Sequence, residues 1–328
     1  MIRHSLRSAV LQETNTRAAR RAIQGMDSAK LKSFIVVTPH LIHMAPLATL
    51  NHGSGVQPVL VANGLSGDDL AWLGAMCPGV PTIELRTSLT GNPDSLLLHG
   101  VIIDYLAAAC DQPFCIQDAD CFVLDSSFWT GVSLDPKTEY ATCVFVREGD
   151  AKRPPFPETF LTCLNAPLMR KFNRELSIRS ESTDRPSSRA KDALASAGYG
   201  EGRVLETLKD YYDTLQQFWV IATHRGFRFR KLAGEGDTVH HIGGTSYLHS
   251  TFDDLAHWDY WPLAVHYFNM RLLELPAASR FRKRFEKLSA YHGSADQVLG
   301  KFPDFAAGYR RKTADTILDE LGVADRYA

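Results

Sequence analysis

Short runs of β-branched and apolar residues alternate along this chain with segments of helical period, beginning at Ser33-Phe34-Ile35-Val36-Val37-Thr38-Pro39. That alternation is the mark of βαβ units wound around a mostly parallel sheet. It predicts strands over 33–38, 58–62 and 81–86, with a helix through Asp68-Asp69-Leu70-Ala71-Trp72-Leu73 that Ser66 or Asp68 caps. After the turn Gly91-Asn92-Pro93-Asp94, a helix is expected over 95–110. The strand at 113–117 then delivers Asp118. A further strand is predicted at 140–146, followed by a Pro-rich turn over 153–157 and an apolar segment over 159–164.

Over 177–202 the composition shifts to Ser, Arg, Asp, Ala and Gly, and Gly198, Gly200 and Gly202 close the stretch, so a mobile loop is expected there. Beyond it the pattern predicts a helix over 203–223, strands at 227–232 and 238–242, and helices from about residue 258 onward. The chain divides accordingly into an N-terminal helical arm (1–30), an α/β domain (31–257) and a C-terminal helical extension (258–328). No internal repeat or sustained heptad pattern is present.

Composition narrows the possible partners. The 328 residues are 45% hydrophobic, enough for a sizeable core, and 36 basic residues against 37 acidic ones give a net charge of -1. Such a chain lacks the positive field of a nucleic-acid binder. Six cysteines stand in mostly apolar surroundings without zinc-knuckle spacing, which points to buried, reduced thiols and a reducing, cytoplasmic setting. No export signal is expected from the first 25 residues, and no apolar run is long enough to span a bilayer. One local imbalance stands out. The segment 271–312 has ten Lys/Arg against four Asp/Glu, and its Arg280-Phe281-Arg282-Lys283-Arg284-Phe285 suits either peripheral contact with an anionic membrane or a solvated helix face packed by two Phe.

The strongest chemical signal is Asp118-Ala119-Asp120. Two carboxylates one residue apart, just past a strand, turn toward the crevice at the strand's carboxyl end where open α/β sheets bind ligands. There they can share a hard divalent ion, Mg²⁺ or Mn²⁺, that bridges to a diphosphate. Cys121-Phe122-Val123-Leu124 resumes apolar character at once, so the pair does not belong to an ordinary solvated turn. Upstream, Gly100 and Asp104 share a helix face. They suit either a base or ribose held by Asp104, or plain helix packing through Gly100.

Three strings together carry a resemblance: Leu98-His99-Gly100-Val101-Ile102-Ile103-Asp104, Phe114-Cys115-Ile116-Gln117-Asp118-Ala119-Asp120-Cys121, and His240-His241-Ile242-Gly243-Gly244-Thr245-Ser246. Over roughly 33–250 the chain resembles the nucleotide-sugar-dependent glycosyltransferases of the GT-A fold. The resemblance implies an α/β, Rossmann-like mixed sheet, mostly parallel and flanked by helices, with the 258–328 segment as a helical extension. It also implies a nucleotide-sugar donor, a UDP-sugar first, and Mn²⁺ or Mg²⁺ as cofactor. By the same resemblance Thr38, His99, Gly100, Asp104 and Asp118 would face the nucleotide. Asp118 and Asp120 would hold the metal, with His240 or His241 as third ligand. Alternation along a strand lets only one of the two histidines reach it, and Gly243-Gly244 favours His241. An acceptor-side acid would come from Glu201 or Glu206, where family members more often carry Asp. The implied acceptor is a glycan or lipid-linked sugar of a surface polysaccharide.

Competing readings are weaker. Gly198-Tyr199-Gly200-Glu201-Gly202 has no preceding strand and the wrong spacing for a phosphate loop. A phosphatase wants Thr or Val where Phe122 stands. A sugar-phosphate nucleotidyltransferase wants a Gly- and Arg-rich loop where Thr38-Pro39-His40-Leu41 stands. A catalytically silent glycan-binding subunit would have kept the fold but never release nucleoside diphosphate.

Overall fold

The structure is a computed structural model that describes residues 2–88, 96–149, 155–181, 183, 186–199, 213–245, 248, 260–287 and 292–328. In chain order the strands are β1 (Leu31–Val37), β2 (Val56–Asn63), β3 (Thr82–Leu85), β4 (Phe114–Asp118), β5 (Cys121–Val123), β6 (Glu139–Cys143), β7 (Val146–Arg147), β8 (Phe156–Pro157), β9 (Leu161–Leu164), β10 (Arg228–Lys231) and β11 (Val239–His241). Seven of them form one mixed sheet in the order β10-β6-β9-β4-β1-β2-β3. All its pairings are parallel except those of β9 with β4 and β6. This is the mixed, mostly parallel α/β sheet that the pattern predicts.

β1 lies inside the sheet between β4 and β2, and its Phe34–Val37 reads as an apolar run because both of its faces are covered. Alternation divides it: Phe34 and Val36 pack into one core with Ile102, Ile103 and Phe114, while Ile35 and Val37 pack into another with Phe268, Phe281 and Phe285. The second core is built largely from the C-terminal helices. The extension therefore covers one face of the sheet, and at its very end the buried Tyr327 hydroxyl donates to the His43 carbonyl at 2.6 Å. At the opposite end of the sequence, the helix Ile2–Gln24 packs on the helix His99–Ala109 and on β3. Its buried Asn15 brackets Arg86 through both backbone groups, at 2.8 and 2.9 Å. The 1–30 stretch is thus clamped to the sheet edge.

Several predicted elements change. Ser66, rather than Asp68, caps the helix Gly67–Met76, in a box closed by Asp69. Within the stretch read as a loop, Ser188–Ser196 is a helix capped by Ser187, with Ala190 and Leu194 buried one turn apart. The strand predicted over 140–146 leaves the sheet after Cys143, and β7 pairs instead with β8. The helix predicted over 203–223 is, in its described part, Gln216–His224, preceded by a left-handed Leu215 at φ 65°. Residues 200–212, and with them Glu201 and Glu206, lie outside the described residues.

The basic tail also takes a definite side. Phe281 and Phe285 are buried in the core, Arg284 bonds Asp69 at 2.5 Å and the Pro39 carbonyl, and its guanidinium lies over the Phe281 ring. The aromatic residues that a membrane-surface helix would insert are spent inside the protein, so this segment is not built as an amphipathic anchor. Among the described residues no helix is long and apolar enough to cross a membrane. All six cysteines are buried free thiols, as their surroundings predict.

Candidate functional site

Asp118 is the last residue of β4, at the carboxyl edge of the sheet. Just behind it, the buried Gln117 side chain accepts from Ser33 Oγ at 3.0 Å and donates to the Ala48 and Cys121 carbonyls. Those bonds tie the strand to the turn that follows and fix where both aspartates emerge. The Asp118 N–H donates to the Phe160 carbonyl at 2.9 Å. Past the turn, β5 pairs antiparallel with β11, setting His241 opposite Cys121, and the Ile242 N–H donates to the Asp120 carbonyl at 3.1 Å. A residue 121 positions further along the chain is thereby registered against Asp120 by backbone bonds alone.

The ligand atoms of Asp118, Asp120 and His241 all lie within 4.8 Å of one another. His241 Nε2 is 3.3 Å from Asp120 Oδ2, and His99 Nε2 is 3.7 Å from Asp118 Oδ1. The Phe160 ring stacks on His241 at 3.8 Å between centroids and holds the imidazole in place. Asp120 is 1% exposed, and among the described residues its Oδ2 meets no hydrogen-bond donor beyond the His241 ring. Burial, reinforced by Asp120, pushes the Asp118 carboxyl up to about 8. Burial pulls His241 down, but the charge and hydrogen bond of Asp120 and the charge of Asp118 outweigh it and leave the imidazole above its ordinary value. Burial outweighs the opposing charges of Asp120 and Asp213 and brings His99 to about 4, so it is a neutral ring at physiological pH. Two carboxylates thus converge with one imidazole in surroundings that penalise charge.

The predicted residues separate clearly. Asp118, Asp120, His241 and His99 come together. His240, the neighbour on the other side of β11, stands outside the cluster, as alternation requires, and is lowered by burial. Thr38 follows β1 two residues beyond Val36, the register partner of Asp118, and its buried hydroxyl has no hydrogen-bond partner. Gly243 and Gly244 take φ of 68° and 71°, a backbone that only glycine adopts at little cost.

Gly100 and Asp104 require correction. A Cβ on Gly100 would stand 2.4 Å from the Ser180 carbonyl and the Glu181 Cα, so the space read as room for a base or ribose is filled by that backbone. Asp104 accepts from the Ser180 N–H at 3.1 Å and from its hydroxyl at 2.7 Å. Both residues anchor the segment at 180–181. Conversely, sequence reasoning missed Phe160, which stacks on His241, and Glu158, whose charge bears on both Asp118 and His241. Their signal was indirect: β9 pairs antiparallel with β4, Gln117 opposite Leu161, which brings the residues just before β9 to the edge where Asp118 emerges.

Known proteins give the following likenesses. Among solved structures, the chain is similar to galactosyltransferase LgtC in complex with donor and acceptor sugar analogs, at 11% identity and TM-score 0.39 over 79% of this chain and 96% of that one. It is similar to the glycosyltransferase GlyE of Streptococcus pneumoniae TIGR4, at 12% identity and TM-score 0.37 over 63% of this chain and 46% of that one. The bifunctional glycosyltransferase WbbM aligns at 12% identity and TM-score 0.36 over 87% of this chain and 52% of that one. The aligned region thus spans about half the length of GlyE and WbbM. No curated protein matches the chain. Residues 9–169 match the family described as StrH glycosyltransferase N-terminal domain. That span runs from the N-terminal helix through β9 and contains both Asp118 and Asp120.

Proposed function

We propose that this chain is a metal-dependent glycosyltransferase that takes a sugar from a nucleotide-sugar donor, a UDP-sugar first, and passes it to a glycan or lipid-linked acceptor of a surface polysaccharide on the cytoplasmic side. The observation that carries this reading is the convergence of Asp118, Asp120 and His241 within 4.8 Å, with both carboxylates inside the span that matches a glycosyltransferase family and His241 brought to them from beyond it. The donor set fits Mn²⁺ or Mg²⁺. Two carboxylates and an imidazole suit a hard to borderline divalent ion, and the orphaned Asp120 Oδ2 and the raised Asp118 carboxyl are the groups such an ion would satisfy. When bound, the ion would neutralise charge on the departing nucleoside diphosphate.

The chain's own residues supply the rest. Asp118 and Asp120 hold the ion, and Phe160 with the β5–β11 ladder fixes the His241 ring toward them. Gly243-Gly244 lets the backbone beside His241 approach a phosphate closely, and Thr38 offers its unpartnered hydroxyl at the same sheet edge. Glu201 and Glu206 stand as the acids for the acceptor hydroxyl.

Turnover tests this. With Mn²⁺ and a panel of UDP-, GDP-, CDP- and dTDP-sugars, the wild-type chain should release nucleoside diphosphate, and Asp120→Asn or chelation should abolish the release. Full release under chelation would contradict the metal assignment. Donor binding without any release would favour a catalytically silent glycan-binding protein.

A further inference from the structure

Beside His241 a cavity of about 380 Å³ opens between the sheet edge and the C-terminal helices. That volume lies near the lower end of the ~300–1,000 Å³ typical of small-molecule sites. Its sheet-side wall includes Phe145, Glu158, Phe160 and His241, and its far wall comes from the helix Tyr309–Glu320. Asp118 and Asp120 are absent from the lining. The cavity therefore adjoins the carboxylate cluster through His241 and does not contain it.

The chemistry of the walls is mixed in a particular way. Tyr309 is 73% exposed, one of few large hydrophobic side chains so placed among the described residues, and its hydroxyl reaches the edge of Gly236, where a Cβ would stand 3.6 Å from it. Phe145 and Phe160 add aromatic faces, 5.7 Å apart between centroids. The two acids of the lining are each matched by a base: Glu158 accepts from Arg147 at 2.8 Å, and Glu235 pairs with Lys231 at 3.3 Å. Aromatic faces together with carboxylates whose charge is already met suit a ligand that is uncharged, has an apolar flank and carries many hydroxyls. A pyranose ring meets that description, since its axial C–H groups lie against an aromatic face while its hydroxyls bond to carboxylate oxygens.

We propose that this cavity is the acceptor-sugar subsite, that it takes a neutral pyranose, and that Tyr309 is its stacking platform. The assignment to the acceptor rests on the glycosyltransferase reading above. It gives the C-terminal helices a binding role in addition to their cover of the sheet, and its Tyr309 wall lies beyond the matched segment 9–169.

The test uses the full chain, saturation-transfer NMR with the methyl glycosides of glucose, galactose, mannose and N-acetylglucosamine, and calorimetry of UDP with Mn²⁺. At least one glycoside should bind the wild type. Tyr309→Ala should weaken it about tenfold, Tyr309→Phe should keep it, and affinity for UDP with Mn²⁺ should be the same in all three. Because Tyr309 is exposed, its replacement leaves the core intact. Absence of binding by every glycoside, equal binding by Tyr309→Ala, or a loss of UDP binding in that variant would each overturn the subsite. Failure of the wild type to bind UDP with Mn²⁺ would instead sink the transferase reading, while the glycoside result still decides whether the cavity holds a sugar.

Discussion

Two acid-bearing regions look alike in sequence and differ in structure. Asp104 and Asp118 are both half-buried carboxyls raised by desolvation, to about 6 and about 8. Around Asp104 the donors are present: the Ser180 N–H and hydroxyl meet the carboxylate, and Gly100 beside it is sealed by backbone. Around Asp118 a second carboxyl stands close by, and among the described residues Asp120 Oδ2 meets no hydrogen-bond donor beyond the His241 ring. A raised acid whose hydrogen bonds are filled is part of the scaffold. An acid pair whose bonds are not filled is built for something that arrives.

The difference can be broken by substitution. His241→Ala, which removes the imidazole facing Asp120, should cost about 10²-fold or more in metal-dependent donor cleavage with little change in melting temperature. His240→Ala, one position away, should leave cleavage within a few-fold. Equal effects of the two would remove the third ligand from the site. At the other region the loss should appear in stability instead. Gly100→Val drives a side chain into the Ser180–Glu181 backbone and should destabilise the fold by about 1–3 kcal/mol, as overpacking does, read from denaturant midpoints. A smaller loss, about 1–2 kcal/mol, is expected for Asp104→Ala, which leaves the Ser180 donors buried without their acceptor. Should Asp104→Ala instead weaken nucleotide binding at unchanged stability, the two regions would belong to one site after all.

These regions also mark what the sequence could convey. The central strands were legible because strands covered on both faces appear as continuous apolar runs, and Asp118-Ala119-Asp120 because its meaning is local: strand, turn, strand. His241 was separable from His240 through alternation alone. Gly100 and Asp104 were open to misreading because their partner Ser180 lies 76 residues beyond Asp104, and nothing in a helix face tells whether a backbone or a ligand will fill it. Glu158 and Phe160 depended on the antiparallel return of β9 beside β4, a pairing that the predominantly parallel pattern did not announce. In the tail, alternating Arg and Phe fits a membrane surface or a core equally well, and burial of Phe281 and Phe285 decides for the core.

Direct titration of Mn²⁺ into the chain, by calorimetry at about pH 6 and about pH 8, tests the central claim most closely. Below about 8 Asp118 keeps its proton, and the ion must displace it, so affinity should rise with pH, by up to about tenfold per unit, and level off near 8. A single site that follows this course and disappears in Asp118→Asn and Asp120→Asn is the expected result. Saturable binding that persists in both variants, or the absence of any binding at pH 8, would contradict it.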